Sequence, residues 1–115
     1  DWVCPAEGGY LPDCGSFAFL LEKATGRAPV FIGKPNPDML TLAIARAGVT
    51  PEETVMVGDR MYTDIASGVR AGIDTVFVLS GEGTAQDAEA SDFKPTYIMK
   101  DIKELSGRLG EKATE

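Results

Sequence analysis

The sequence predicts an α/β layer sandwich built on a parallel sheet, and three observations carry that reading. Val55-Met56-Val57 and Thr75 to Leu79 are short continuous apolar runs bounded by polar residues, the pattern of strands buried on both faces. Amphipathic stretches with helical spacing stand around them and stop at glycine. Strands and helices alternate through short connections, which favours right-handed crossovers with helices laid on the sheet faces.

Taken in order, residues 1–15 are rich in Gly, Pro and Cys, show no period and read as loop. A helix is predicted from Ser16 to Thr25, where Phe17, Leu20, Leu21 and Ala24 share a face, Ser16 caps the start and Gly26 stops it. Phe19 points off that stripe and is expected to pack against something outside this chain. Val30-Phe31-Ile32 is a short strand candidate that ends at Gly33-Lys34-Pro35. Asn36 then caps a helix with Pro37 in its first position; Leu40, Ala43, Ile44 and Ala47 form its apolar face, and Gly48 ends it. Thr50-Pro51-Glu52-Glu53 has capping-box spacing for a single turn. After the Val55–Val57 strand a helix is expected from Thr63 to Ala71, with Gly72 as its stop. Beyond the strand at Thr75–Leu79, Ser80 to Gly83 forms a turn, and Thr84 with Asp87 caps a short helix. Tyr97-Ile98-Met99 is the last strand, and a final helix opens at Asp101. The polar tail from Gly110 is expected to fray.

Composition narrows the function. At 115 residues, 43% hydrophobic and 25% charged, the chain suits one globular domain. A net charge of −7 disfavours nucleic acid and anionic membrane as partners. Two cysteines, Cys4 and Cys14, are too few for a disulfide framework; reduced thiols in a cytoplasmic protein are the expectation. The chain has no histidine, which excludes Ser-His-Asp and Cys-His catalysis.

The candidate chemistry lies at the carboxyl ends of the predicted strands. Lys34 follows the first, Asp59 follows Val55–Val57, and Asp64 stands in the first turn of the next helix. Ligands bind at such strand ends in open α/β sheets. Gly33, Gly58 and Gly81 sit at the same end, where glycine lets main-chain N–H groups approach an anion. Taken singly, each charged residue has a plain explanation: a turn aspartate, a carboxylate at a helix start, a solvated lysine. Together on one rim they suit a phosphate, met by the lysine, and a hard cation, met by the carboxylates. Gly81-x-Gly83 after a strand also suggests a dinucleotide fingerprint. It lacks the third glycine and the distant acid, and so reads as a turn.

The motifs G-K-P-N-P at 33–37, V-G-D-R-M-Y-T-D-I at 57–65 and A-G-I-D-T-V-F-V-L-S-G at 71–81 resemble the haloacid dehalogenase (HAD) superfamily, in particular its NagD-like, p-nitrophenyl phosphatase subfamily. The likeness covers nearly the whole chain. It implies a Rossmann-like three-layer sandwich and a Mg2+-dependent hydrolase of small phosphomonoesters such as sugar phosphates, nucleotides or p-nitrophenyl phosphate. By that resemblance Lys34 neutralises the phosphoryl group and the nucleophile, Asp59 binds Mg2+, and Asp64 supports the metal or the lysine from behind; the strand-end glycines Gly33 and Gly58 are read from their place as bordering the phosphate. E-G-G-Y-L-P-D-C-G-S-F and A-T-G-R-A-P near the start resemble the end of that subfamily's cap domain. Residues 1–28 are accordingly expected to close a cap and return to the core, and residues 29–109 to form the C-terminal part of that core.

One departure is large. The family nucleophile comes from D-x-D-G-T, and no D-x-D occurs in this chain. The second-motif Ser/Thr has no candidate either. The expectation is an incomplete sandwich lacking the nucleophile strand, the C-terminal part of a longer enzyme that is inactive alone. The Val55–Val57 edge would then pair with the missing half or with a second copy. A phosphate-binding or interaction module without catalysis is the alternative.

Overall fold

The computed structural model describes residues 1–112. It divides into two compact units, Asp1–Phe31 and a second beginning at Ile32. The first unit holds a hairpin where the sequence suggested only loop. Strands β1 (Val3–Ala6) and β2 (Gly9–Pro12) pair antiparallel, with Ala6 opposite Gly9 across a two-residue turn. Gly8 in that turn has φ of 78°, a left-handed value that glycine takes without strain. Helix α1 (Cys14–Thr25) starts two residues earlier than expected, because Asp13 and not Ser16 is its cap. The Asp13 carboxylate accepts from the Cys14 N–H at 2.6 Å, while the Ser16 hydroxyl donates to the Trp2 carbonyl. Phe19 finds its partner within this unit, edge-on to Trp2 at 5.8 Å between ring centres. Cys4 and Cys14 are both free and exposed.

The second unit is built on a parallel sheet ordered β3 (Val55–Gly58), β4 (Asp74–Val78), β5 (Tyr97–Met99). Helix α2 (Asp38–Ala47) precedes it, and a single 3-10 turn at Pro51–Glu53 carries the capping box that the sequence indicated. A π-type turn at Met61–Ile65 leads into α3 (Ala66–Ala71); α4 (Ala85–Ala90) and α5 (Ile102–Lys112) follow β4 and β5. Met61, Ile65, Phe77 and Ala88 form a buried cluster with Phe93 packed against it. Gly68 lets α3 lie close on the sheet, since a Cβ there would run into the Thr75 side chain and Met56 Cβ.

Further local expectations are corrected. Val30-Phe31-Ile32 forms no strand, and Val30 is 86% exposed. The segment joins neither described sheet, and a strand draws its stability from the sheet it joins. Helix α2 takes Pro37, not Asn36, in its cap position, and its first carbonyl bond runs from Thr41 N–H to Pro37 at 2.9 Å. β3 is half-buried and lies at the sheet edge, so it is not covered on both faces. The helix expected from Thr63 starts as the π-type turn at Met61. The main chain stays helical to Lys112, past the predicted onset of fraying at Gly110, and residues 113–115 of that tail lie outside the described residues.

Candidate active site

Asp59 is the residue immediately after β3, half-buried at the carboxyl end of the strand. From there the chain makes the π-type turn, in which the N–H groups of both Asp64 and Ile65 point to the Arg60 carbonyl at 3.1 Å. The wide turn brings the Asp64 side chain back toward the strand end. Asp64 is 4% exposed, and its two oxygens are separately engaged. Oδ1 accepts from Lys34 Nζ at 2.5 Å, and Oδ2 accepts from the Arg60 main-chain N–H at 3.1 Å. Gly58 makes room for this arrangement, because a Cβ at that position would occupy the same space as Asp64 Cβ and Cγ. No comparable crowding surrounds Gly33, where an added Cβ would meet nothing within 4 Å.

Lys34 comes from the loop before α2. That loop is fastened to α3 by Arg70, which donates to the Pro35 carbonyl at 3.0 Å and sets its guanidinium over the Phe93 ring. The lysine side chain is 40% exposed, whereas the Asp64 side chain is 6% exposed. The cation thus stands at the surface on a buried anion, and it can face an incoming phosphoryl group while staying anchored.

Asp59 is positioned differently. Its Oδ2 accepts from the Glu82 main-chain N–H at 2.8 Å, and its carbonyl accepts from Gly83 N–H at 2.9 Å. The loop between β4 and α4 therefore wraps the metal candidate, a contact that sequence reasoning missed. Its signal was present in Gly81-x-Gly83, which reads as a turn on spacing alone. The Glu82 carboxylate meets Arg60 Nε at 2.7 Å and accepts from the Tyr62 hydroxyl at 3.0 Å. The negative charge of Glu82 raises the Arg60 pKa, and the hydrogen bond to Glu82 is the main cause that raises the Tyr62 phenol above its ordinary 10.0. An open cavity of about 480 Å3 adjoins here, lined by Arg60, Tyr62, Glu82, Asp87 and Phe93 among others. Lys34, Asp59 and Asp64 are not among its lining residues.

The sequence motif is thus a spatial one: residues 34 and 64 touch across thirty positions of chain, and residue 59 is tied into the neighbouring loop. Residues 31–105 match the family model described as HAD-hydrolase-like. The chain belongs to that family. Among curated relatives, this HAD-like chain is 44% identical over 106 residues to dihydroxyacetone phosphatase of Corynebacterium glutamicum, covering 92% of itself and 38% of that protein. It is 38% identical over 97 residues to the ribonucleotide monophosphatase NagD of Escherichia coli K12, covering 84% of itself and 39% of that protein. Among solved structures it resembles a glycerol phosphate phosphatase of Mycobacterium tuberculosis in complex with magnesium, with a TM-score of 0.78 and 39% identity, over 91% of this chain and 32% of that one. These likenesses place it with the NagD-like HAD phosphatases and give its sheet the Rossmann type. The chain spans about two fifths of the length of the curated relatives it matches.

The residues fit a divalent cation in part. No group of three or more His, Cys, Asp or Glu side chains gathers as a ligand set among the described residues. Mg2+ keeps several waters and is commonly held by one or two carboxylates plus substrate phosphate, and the Asp59 carboxylate at the end of β3 offers oxygen of the kind such an ion takes. No described helix is long and apolar enough to cross a membrane.

Proposed function

We propose that this chain carries the lysine-and-carboxylate part of a Mg2+-dependent phosphomonoesterase site. The observation that carries the reading is the Lys34 Nζ to Asp64 Oδ1 contact of 2.5 Å beside Asp59 at the end of β3. In this reading Asp64 holds Lys34 in place, and Lys34 offsets charge on a phosphoryl group and on its attacking carboxylate. Main-chain groups at Gly33 and Gly58 border the phosphate position. Mg2+, when bound at Asp59, supplies electrostatic stabilisation of the transferring group. The attacking aspartate, which would form an aspartyl-phosphate, has no D-x-D counterpart in this sequence. It would come from a preceding part of a longer enzyme, with residues 1–28 closing that enzyme's cap domain.

The substrates would be small phosphorylated metabolites, a sugar phosphate or nucleotide, with p-nitrophenyl phosphate as the laboratory ester. Free thiols at Cys4 and Cys14 accord with a reducing, cytoplasmic setting. The test is phosphate release from p-nitrophenyl phosphate with Mg2+, by the chain alone and with a polypeptide supplying D-x-D-G-T. The expected result is no release above a buffer blank alone and release when the two are combined. Turnover by the chain alone would overturn the division of labour. The missing D-x-D favours a second reading, a non-catalytic phosphate-binding module. Retained orthophosphate binding without release, even in the combined sample, would select it.

A further inference from the structure

Two main-chain donors of the β4–α4 loop converge on Asp59: Glu82 N–H reaches Oδ2 at 2.8 Å, and Gly83 N–H reaches the carbonyl at 2.9 Å. The approach depends on missing side chains. A Cβ on Gly81 would run into the Asp59 carboxylate, and one on Gly83 would meet the Asp59 carbonyl and the Phe77 ring. The loop is also gripped from outside, because the Glu82 carboxylate takes Arg60 Nε at 2.7 Å and the Tyr62 hydroxyl at 3.0 Å. One residue thus holds Asp59 with its main chain, and with its side chain holds residues one and three positions further along.

We propose that Glu82 is a positioning residue for cation binding. Its side chain closes the loop onto Arg60 and Tyr62, and its N–H thereby commits Asp59 Oδ2 to the protein and leaves Oδ1 to take a hard divalent cation. This rests on the reading of Asp59 as the cation ligand. A carboxylate fixed before the ion arrives loses less freedom on binding, and outer partners of this kind are worth roughly 10-fold or more in metal affinity. The ion pair itself is half-exposed, so it adds little to folding stability. That separates a positioning role from a structural one.

The experiment is a Mn2+ titration of the full chain followed by electron paramagnetic resonance, with a thermal melt of every variant. Asp59→Asn is expected to abolish saturable binding. Glu82→Ala and Gly81→Ala are expected to weaken it roughly 10-fold, with the melting temperature of Glu82→Ala unchanged. Glu82→Gln keeps an acceptor for Arg60 and Tyr62 and should restore most of the affinity. If Asp59→Asn loses the ion while both loop variants bind like the wild type, the positioning role is overturned and the cation reading stands. If the wild type binds no Mn2+, or Asp59→Asn binds equally well, the cation reading itself fails and this proposal with it. Should Gly81→Ala not fold, the two Glu82 variants decide.

Discussion

Asp64 carries the densest set of demands on any single side chain here. It is buried, its oxygens serve Lys34 and the Arg60 N–H, and its Cβ lies where a side chain at position 58 would go. Replacing Lys34 by alanine leaves one of its two donors in place, and the lysine is partly exposed, so urea unfolding should register a loss of about 1 kcal/mol. Asp64→Ala removes the acceptor for both donors and opens a void, with an expected loss of roughly 2–4 kcal/mol. Gly58→Ala should cost about 1–3 kcal/mol by overpacking. Combined with Asp64→Ala its effect should shrink, because the atoms it strikes are gone; strictly additive losses would contradict the close approach. At this scale the contact of Lys34 with Asp64 agrees with the grouping the sequence suggested, although only Asp59 stands directly after a strand and Lys34 follows none. Glu82 was not legible in the sequence, because its contact with Asp59 uses a main-chain N–H that every residue other than proline possesses.

Elements were legible where local chemistry decides them and illegible where a partner decides. The boxes at Thr50–Glu53 and Thr84–Asp87 form as spaced, each closing with its own side chains. Val30–Ile32 has the composition of a strand but belongs to neither described sheet. The π-type turn at Met61–Ile65 is set by how β3 hands over to α3, which no periodicity reports. α4 gives a pH prediction with a definite sign. The Thr84 side chain and main chain hold the Asp87 carboxylate below its ordinary 3.8, so the ionised form favours the fold. Its contribution is whole above the unfolded value and fades as pH falls through the lowered native one. Thr84→Ala should therefore lower stability near neutrality and progressively less in acid, read by urea unfolding at several pH values. Tyr62 has the opposite sign. Its raised phenol favours the fold below 10.0, and that contribution is lost as pH rises through the native value. An ultraviolet titration, differenced against Tyr62→Phe, should place that phenol above 10.0.

For the molecule as a whole, the sheet is the feature with the widest consequence. β3 pairs with β4 on one side, and among the described residues no strand lies on the other. Val55 on this edge is 47% exposed and borders an apolar groove of about 500 Å3 that also involves Val76, Tyr97, Met99, Leu105 and Leu109. A strand edge with unpaired N–H and C=O groups beside apolar surface is a template for another chain. Opposing this is the net charge of −7, which makes two copies repel. Salt separates the two influences, since the screening length falls from about 10 Å at 0.1 M to about 3 Å at 1 M. Sedimentation velocity should therefore show the average mass rising with protein concentration, and more steeply at high salt. Val55→Lys makes the test discriminating. It lowers the net charge from −7 to −6, which by charge alone would promote association, yet it places on the edge the residue that natural sheets use to block pairing. A mass that drops toward the monomer in Val55→Lys locates the contact at β3. A mass that rises in Val55→Lys, or stays constant across concentration and salt in the parent chain, would remove the edge as a self-association surface.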